Sequence, residues 1–386
     1  MKINNRLNCI PQYYFKKVED IKKELEQEGK EIFDFSVGDP DIAVHDSIKK
    51  AFIDGFECKD YNKYPPYEGI ELLKQKIIKY YKDVFSVCLE SNEVIILIGS
   101  KEGINNIIPS VCNVGDYAVI PQPAYPAYET CCNLWGVKPY KLNMNENSGY
   151  LPDYGLIPQN IVSVCKLLFI NYPNNPTGAA ANEDFYRYTV DFCTKNNIVV
   201  CSDSAYNEII HPDENPLSIL QFCDNKKSNI IEMGTFSKTF SMTGFRIGYA
   251  VGNAEIINLL LKVKSSTDSG QFKPLQMAAA KALDIERGYI KTVRSIYYER
   301  KITAQKLLKY HNISYYDSKG TFYLWCKVPH DYTTDEFCEE VLKDSGIIFT
   351  PGYVFGTLGY GYFRISLTKD CDTIKKAFDK LKIYLF

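Results

Sequence analysis

The chain has 386 residues, which is longer than a single hydrophobic core usually serves, so the sequence predicts two domains. Hydrophobic residues make up 45% and charged residues 24%, as is ordinary for a soluble globular protein. The net charge of -2 and the pI near 6.2 give no sign of a basic surface, so we expect neither nucleic acid nor an anionic membrane as a partner.

Segments that would direct the chain to a membrane or out of the cell are not predicted. The longest apolar runs, such as residues 94–98, fall far short of the roughly 18 residues that a membrane span needs. The N-terminus has no apolar signal region. The 13 cysteines are an odd number without a CxxC pair, which is typical of reduced thiols in the cytoplasm. The four histidines are isolated, and no metal site is predicted.

Two short elements precede the main pattern. Residues 15–30 are charged, but Phe15, Val18, Ile21 and Leu25 fall on one helical stripe, so a helix is predicted there. Residues 31–37 predict a short strand, which ends in a turn marked by glycine and proline at 38–41.

From about residue 90 the sequence repeats a pattern of strand, turn and helix. Strands are predicted at residues 94–98, 117–120, 167–171, 198–202, 230–233 and 247–251. Helices are predicted after the first of these, with Ser100 as the N-cap, and at residues 182–195. This alternation is typical of an α/β fold with a mostly parallel sheet and helices on both of its faces.

The C-terminal part has a different pattern. Residues 256–307 are predicted to be largely helical and to join two domains. They are followed by predicted strands at 321–328, 347–350 and 362–367 and predicted helices at 334–343 and 373–385. These elements predict a smaller α+β domain.

Two polar residues follow neighbouring predicted strands. Asn175 lies just past the strand at 167–171, and Asp203 lies at the end of the strand at 198–202. A right-handed crossover brings both to one edge of the sheet, where ligands bind in open α/β folds. Taken alone the pair is weak evidence for a site, because asparagine is common in turns and aspartate at helix caps.

A lysine flanked by hydroxyls follows the strand at 230–233. Thr235 and Ser237 flank Lys238, and Arg246 lies at the start of the next strand. A buried lysine can lose its proton and attack a carbonyl, while hydroxyls and an arginine offer donors to a phosphate. The helix that begins near Ser100 adds an N-terminus, which also suits phosphate. A single lysine or arginine is usually a solvated surface charge, but several such features at the strand ends of one sheet favour a site.

With these residues the sequence resembles the pyridoxal-phosphate aminotransferases of fold type I, classes I and II, over nearly its whole length. The matching stretches occur in the family's order and spacing: FSVGDPD at 35–41, YPPYEG at 64–69, GSKEG at 99–103, PAYP at 123–126, NYPNNPTG at 171–178, SDSAY at 202–206, TFSKTFSMTGFRIG at 235–248 and YFRIS at 362–366. The resemblance implies a large domain at residues 51–284, built on a mostly parallel seven-stranded sheet, and a smaller α+β domain formed by residues 1–50 with 285–386. It also implies a homodimer that binds pyridoxal 5'-phosphate.

The resemblance implies a role at the cofactor ring for each of five residues. Lys238 would form the Schiff base with pyridoxal 5'-phosphate and then move a proton as general base and acid. Asp203 would pair with the ring nitrogen and keep it protonated. Tyr125 would stack on the ring, and Tyr206 and Asn175 would donate hydrogen bonds to its phenolic oxygen.

The resemblance also implies which residues hold the phosphate and the substrate. The phosphate would be bound by Ser100, Lys101, Thr235, Ser237 and Arg246, and by Tyr64 of the other subunit. Arg364, which alternates with apolar residues in its strand, would clamp the substrate carboxylate, helped by Asn175 and the backbone of Gly38. The N-terminal segment around Tyr13 would close over the substrate.

The reaction follows from a narrower resemblance. MTGFR at 242–246 and VKSSTDSGQF at 263–272 are similar to the LL-diaminopimelate aminotransferase group. This implies transfer of an amino group between an amino acid, such as LL-diaminopimelate or aspartate, and 2-oxoglutarate. A C–S lyase of the same fold would share every cofactor residue and release pyruvate from cystathionine without a keto-acid acceptor. A non-catalytic regulator would need a DNA-binding segment, for which the chain has no spare length or basic stretch.

One position departs from the diaminopimelate group. Relatives specific for diaminopimelate carry a glutamate two residues before the glycine of the 64–69 stretch, where it contacts the distal ammonium of the substrate. This chain has Tyr67 at that place and Glu68 one residue later. Donors such as aspartate, alanine or aromatic amino acids therefore stay open.

Overall fold

A computed structural model describes residues 4–9, 14–224 and 227–381. The strands in these ranges are β1 Phe33–Asp34, β2 Val94–Leu97, β3 Tyr117–Gln122, β4 Lys138–Asn143, β5 Cys165–Asn171, β6 Val199–Asp203, β7 Ile230–Thr235, β8 Gly248–Gly252, β9 Tyr323–Lys327, β10 Ile347–Ile348, β11 Thr350–Pro351 and β12 Tyr362–Ser366. The α-helices are α1 Tyr14–Gln27, α2 Asp46–Asp54, α3 Glu71–Phe85, α4 Ser100–Val111, α5 Ala127–Trp135, α6 Gln159–Val162, α7 Glu183–Asn196, α8 Ala254–Ser265, α9 Lys273–Ala282, α10 Arg287–Tyr310, α11 Thr334–Ser345 and α12 Cys371–Asp379.

Seven of the strands form one sheet, in the order β2-β8-β7-β6-β5-β3-β4. Strand β8 runs antiparallel to both β2 and β7, and the other neighbouring strands are parallel. The predicted α/β fold with a mostly parallel seven-stranded sheet is therefore confirmed.

Helices cover both faces of this sheet because the strands are apolar on both sides. In β5, Leu167 and Phe169 belong to one buried cluster with residues of α4, α5 and α8. Leu168 and Ile170 point to the opposite face and belong to a second cluster with residues of α3, α7 and α9. A parallel sheet that is buried on both faces needs near-continuous apolar strands, which explains the β-branched runs of the sequence.

The remaining strands form two small sheets. β11, β12 and β9 make an antiparallel sheet in that order, and β1 pairs with β10 in parallel. Their apolar residues share a separate core with one side of α10 and with α11 and α12. The division into residues 51–284 and residues 1–50 with 285–386 stays a prediction. Its first boundary falls inside α2, which packs against α9.

Two predicted details are wrong. Ser100 is not the N-cap of α4: Gly99 holds that position with φ +73°, a left-handed value that glycine adopts without strain, and Ser100 is the first helical residue. The strand predicted at 347–350 is divided at Phe349, because β10 pairs with β1 while β11 pairs with β12 in another sheet. The helix predicted at 373–385 is α12, which ends at Asp379; residues 382–386 lie outside the described part.

None of the helices in the described ranges combines the length and the apolar character needed to cross a membrane. The twelve cysteines whose side chains are described are free thiols. Among the described residues, no group of three or more histidine, cysteine, aspartate or glutamate side chains could hold a metal ion.

Candidate active site

The carboxyl ends of β5 and β6 are joined by buried polar side chains. Asn171 ends β5 and lies beside Asp203, the last residue of β6. The Asn171 side chain donates from Nδ2 to the Asp203 carbonyl oxygen (2.8 Å) and accepts at Oδ1 from the backbone N–H of Asn175 (2.8 Å). The loop after β5 is thereby fixed to the end of β6, and Asn175 and Asp203 lie at the same edge of the sheet.

The Asp203 carboxylate is buried and carries few hydrogen bonds for a charged group. Its Oδ2 accepts from the Tyr128 hydroxyl (2.8 Å), and its Oδ1 accepts from the backbone N–H of Ala205 (3.2 Å). Burial raises the pKa of Asp203 to about 6, although these hydrogen bonds and the charge of Lys238 oppose the rise. A buried carboxylate in this state gains from a cationic or proton-bearing partner in the crevice.

Lys238 lies just past β7, and its amine is held at the same crevice. Nζ donates a hydrogen bond to the carbonyl oxygen of Gly38 (2.7 Å). It also lies 5.9 Å from the ring centroids of Tyr206 and Phe322. The amine therefore stands between the segment that follows β1 and the end of β6, within electrostatic reach of Asp203.

Gly38 approaches the aromatic wall of the crevice closely. A Cβ atom on Gly38 would lie 1.8 Å from the Tyr323 hydroxyl oxygen, so a side chain at this position is excluded. The same hydroxyl pairs with the Tyr206 hydroxyl at 3.0 Å. Gly38, Tyr206 and Tyr323 therefore form one wall beside the amine of Lys238.

Arg364 is buried in β12 and faces the crevice. Its Nη1 donates to Asn175 Oδ1 (2.7 Å) and its Nη2 to the carbonyl oxygen of Ser36 (2.5 Å). The guanidinium lies 4.1 Å from the Tyr323 ring centroid and 4.7 Å from that of Phe355. Its Nε is buried without a hydrogen-bond partner among the described residues. The guanidinium is thus fixed by rings and held by Asn175, and it keeps donor capacity for a bidentate anion.

The first turn of α4 lies beside Arg246. A Cβ atom on Gly99 would lie 2.8 Å from the Arg246 guanidinium, and a Cβ atom on Gly248 would lie 2.8 Å from the backbone nitrogen of Ser100. Glycines at these two positions leave space between the guanidinium and the helix N-terminus. A helix N-terminus next to a guanidinium is a favourable place for a phosphate.

Two hydroxyls stand at the end of β7, close to this space. Thr235 Oγ1 donates to Ser237 Oγ (2.9 Å), and the Ser237 backbone N–H donates to Thr235 Oγ1 (3.2 Å). The Thr235 hydroxyl also lies 3.3 Å from the carbonyl oxygen of Ile247, next to Arg246 in the chain. The structure therefore brings four of the predicted phosphate-binding residues together: Ser100, Thr235, Ser237 and Arg246.

Four predicted residues remain: Lys101, Tyr125, Tyr64 and Tyr13. Lys101 is exposed, and its charge opposes the burial that raises the pKa of Cys131 to about 11. Tyr125 is half-buried, with its ring 5.8 Å from that of Tyr128. Tyr64 is 88% exposed in the single chain. Tyr13 lies outside the described residues.

Four residues of the site carried no predicted role. Tyr128 donates to Asp203, Asn171 ties two strand ends together, Ser36 accepts from Arg364, and Tyr323 contacts three members of the crevice. Asn171 could have been found, since it ends the same strand that leads to Asn175. Tyr323 had no local signal, because its role depends on the pairing of β9 with β12.

The sequence matches known proteins over its whole length. The profile of the family "Aminotransferase class I and II" matches residues 30–381. An LL-diaminopimelate aminotransferase of Natranaerobius thermophilus is 40% identical over 385 residues, with 100% of each chain covered. An LL-diaminopimelate aminotransferase of Aquifex aeolicus is also 40% identical and covers 99% of this chain and 98% of its own.

Solved structures agree with the fold. The substrate-bound BacF structure from Bacillus subtilis superposes with a TM-score of 0.94 at 31% identity, covering 98% of this chain and 97% of that one. A Thermus thermophilus aspartate aminotransferase superposes with a TM-score of 0.91 at 21% identity and covers 98% of both chains. The second likeness supports the fold alone.

Proposed function

The chain belongs to the class I and II aminotransferase family, and from that membership we propose that it transfers the amino group of LL-diaminopimelate to 2-oxoglutarate. It is an aminotransferase rather than a C–S lyase. The proposed donor is supported by the 40% identity to LL-diaminopimelate aminotransferases over the full chain. The observation that carries the proposal is a crevice where a buried carboxylate, an amine and a buried guanidinium converge: Asp203, Lys238 and Arg364.

Aminotransferases of this family use pyridoxal 5'-phosphate, and the residues of the crevice fit that group. The space bounded by Gly99, Gly248 and Arg246 suits the phosphate, as a cradle that a Cβ atom would fill. The buried carboxylate of Asp203 suits a protonated ring nitrogen. We assign the remaining contacts to Ser100, Lys101, Thr235 and Ser237 at the phosphate, to Tyr125 at the ring face, and to Asn175 and Tyr206 at the phenolic oxygen.

The bound cofactor supplies an electron-withdrawing ring that takes up the electrons of the substrate Cα–H bond. Asp203 supports this chemistry as the acceptor of a ring N–H hydrogen bond. Burial raises the pKa of Asp203 to about 6, which means that the surrounding protein groups alone do not fully stabilise its carboxylate. A protonated ring nitrogen would stabilise the carboxylate, and the carboxylate would in turn keep the ring nitrogen protonated. The Tyr128 hydroxyl and the Ala205 N–H fix the orientation of the carboxylate.

Lys238 acts as the proton carrier. With cofactor and substrate bound, its Nζ would accept the proton of the substrate Cα and hold it for return. The carbonyl oxygen of Gly38, 2.7 Å from Nζ, orients the free amine. The wall formed by Tyr206 and Tyr323 bounds the space in which this proton moves.

Arg364 binds the α-carboxylate of the substrate. The rings of Tyr323 and Phe355 hold its guanidinium, and each Nη has a second N–H besides the one used by Asn175 or Ser36. Asn175 accepts from Nη1 through Oδ1, which leaves the asparagine NH₂ group as a donor to the substrate or the cofactor. A carboxylate bound here is fixed in one orientation, which aligns Cα with Lys238.

We also propose a homodimer in which Tyr64 reaches the phosphate of the partner subunit. Apolar side chains in the segments that flank Tyr64 in the sequence are exposed, namely Ile53, Phe56, Tyr67 and Leu72, and Phe272 is exposed as well. Phe56 and Phe272 are in ring contact at 5.7 Å. Such a patch is typical of an interface. When a Lys238→Ala variant is mixed with a Tyr64→Ala variant, about half of the dimers are mixed, and one of the two sites in each mixed dimer is intact. Activity should therefore recover toward about a quarter of the wild-type value. No recovery would contradict a shared site.

We propose a cytoplasmic location as well. The described cysteines are free thiols, and most are buried, as expected of a reducing compartment.

One position favours a second candidate donor. Tyr67, 44% exposed, stands where the diaminopimelate group has a glutamate, and Glu68 is half-buried one residue later. A tyrosine supplies no charge for a distal ammonium, so donors without one, such as aspartate or an aromatic amino acid, are the alternative.

A donor panel separates the two candidates. LL-diaminopimelate, aspartate, alanine and phenylalanine would each be incubated with 2-oxoglutarate, and glutamate formation would be measured. The proposal expects the largest kcat/KM for LL-diaminopimelate. It takes Glu68 as the residue that pairs with the distal ammonium, so Glu68→Gln should lower kcat/KM about tenfold for this donor alone, as for loss of a charged hydrogen bond. A larger kcat/KM for any other donor would replace the proposed substrate and leave the aminotransferase function intact. Tyr67→Phe serves as the control, since it changes the neighbouring side chain without changing charge.

A further inference from the structure

A lysine outside the crevice lies next to the predicted phosphate site. Lys264, near the end of α8, is 1% exposed. Its Nζ lies 3.0 Å from Glu102 Oε1 and 2.9 Å from both carboxylate oxygens of Asp268. A lysine is rarely buried this deeply unless it is paired, so the position calls for a reason beyond packing.

Glu102 connects this cluster to the first turn of α4. It is the third residue of the helix, and its Oε2 accepts a hydrogen bond from the backbone N–H of Ile98, which precedes Gly99. Its backbone N–H donates to the Gly99 carbonyl oxygen (3.2 Å). The carboxylate of Glu102 is therefore at the same helix N-terminus as Ser100, where a phosphate would bind.

Asp268 connects the cluster to the Arg246 turn. Its Oδ1 accepts from the backbone N–H of Gly270 (2.7 Å). The next residue, Gln271, donates from its side-chain amide to the Arg246 carbonyl oxygen. The cluster formed by Lys264, Glu102 and Asp268 thus supports both arms of the phosphate site.

The charges of the cluster balance only when Lys264 is present. Burial raises the pKa of Glu102, whose carboxyl is hydrogen-bonded to Asp268. Burial acts in the same sense on Asp268, but hydrogen bonds with Glu102 and Lys264 outweigh it and lower the pKa of Asp268. Asp268 is therefore the first carboxyl to ionise, and Lys264 neutralises it. Without the ammonium, a negative charge would remain close to the place where a phosphate dianion binds.

We propose that Lys264 is a positioning residue for the cofactor phosphate: it neutralises the carboxylate of Asp268 beside Glu102 and keeps the first turn of α4 able to bind a dianion. The inference rests on the proposed phosphate site. Lys264 acts through its neighbours, because its donors are directed at the two carboxylates.

The test compares two ligands that differ only in the phosphate. Dissociation constants for pyridoxal 5'-phosphate and for pyridoxal would be measured by absorbance titration of cofactor-free protein. The variant is Lys264→Gln, whose amide can still donate to one carboxylate and so supports folding. Lys264→Arg is the conservative variant that keeps the charge. Lys262→Gln, an exposed lysine on the same helix, is the matched control.

The proposal expects Lys264→Gln to bind pyridoxal 5'-phosphate roughly tenfold more weakly or worse, with pyridoxal affected less than about threefold. Lys264→Arg and Lys262→Gln should stay close to wild type for both ligands. Adding Asp268→Asn to Lys264→Gln removes the uncompensated charge and should recover most of the lost affinity.

Equal losses for the two ligands would mean that Lys264 acts only by packing, and the inference would be overturned. The same conclusion follows if the Asp268→Asn addition recovers nothing. If the wild-type protein itself does not prefer the phosphorylated ligand, the proposed phosphate site fails, which is a different result from the failure of Lys264.

Discussion

Replacing Asp203 with asparagine should stabilise the cofactor-free protein while it weakens cofactor binding. Burial raises the pKa of this carboxyl from 3.8 to about 6. A shift of about 2 units is worth roughly 3 kcal/mol of folding free energy, because each unit is worth about 1.4 kcal/mol. In the folded state the carboxyl holds its proton more tightly than in the unfolded state. Ionisation therefore favours unfolding, and the full destabilisation is present only above about pH 6.

Asparagine removes this charge and keeps the shape. Its Oδ1 can accept from the Ala205 N–H, and its Nδ2 can donate to the Tyr128 hydroxyl, which accepts as well as donates. We expect a gain of about 1–3 kcal/mol at pH 7.5, reduced from the full value because one hydrogen bond changes direction. At pH 5 the wild-type carboxyl is mostly protonated in the fold, so the gain should fall by about half.

Urea unfolding of cofactor-free wild type and Asp203→Asn at pH 7.5 and pH 5.0 measures both quantities. Asp83→Asn is the matched control: it removes an exposed carboxylate that pairs with Lys79, and its effect should stay within about 0.5 kcal/mol. Destabilisation by Asp203→Asn at pH 7.5, or a gain that does not shrink at pH 5.0, would refute the reasoning about this carboxyl.

Two further substitutions test the carboxylate site and the aromatic wall. Arg364→Lys should raise KM for amino donors by roughly 10- to 100-fold and leave the cofactor absorbance unchanged. The reason is that lysine cannot keep the paired contacts to Asn175 and Ser36 and still bind a carboxylate bidentately. A normal KM would remove Arg364 from the substrate site. Gly38→Ala should lose most activity, because its Cβ would lie 1.8 Å from the Tyr323 hydroxyl oxygen. Thermal unfolding of the cofactor-free protein will show whether the substitution disturbs only the crevice or the stability of the whole fold. An active Gly38→Ala enzyme would contradict the close approach.

The large sheet was predictable because its strands are strongly patterned. Six of its strands are apolar runs bounded by turn residues, and the order of elements leaves few topologies for a parallel sheet. The meeting of Asn175 and Asp203 at one edge follows from the same rule, since both stand at the ends of consecutive parallel strands. The seventh strand, β4, has the sequence KPYKLN and lies at the edge of the sheet. Proline and lysine are typical of edge strands but are weak signals for any strand, so the pattern did not reveal it.

The contacts that join distant segments were not predictable from the residues alone. Lys238 meets Gly38 across 200 positions, and Arg364 meets Asn175 across 189. Such pairs depend on how the small sheets dock beside the large one, which periodicity does not encode. The resemblance to a family supplied these residues, but it supplied neither Tyr128 nor Tyr323, whose hydroxyls complete the site.

The position of Ser100 shows a further limit of local patterns. A serine before an apolar helix is usually its N-cap, yet here Gly99 caps the helix, because a side chain at that point would collide with Arg246. The close approach of Arg246 outweighed the ordinary capping preference.

The most direct test of the central claim is a half-reaction followed by absorbance. Protein loaded with pyridoxal 5'-phosphate would be mixed with LL-diaminopimelate in the absence of any keto acid, and 2-oxoglutarate would be added afterwards. For the wild-type protein we predict that the visible absorption of the bound cofactor converts to that of the pyridoxamine form and returns on addition of 2-oxoglutarate. The Lys238→Ala variant retains the other side chains of the crevice and should show neither change at a measurable rate. Conversion by Lys238→Ala at the wild-type rate would contradict the assignment of Lys238 as the proton carrier.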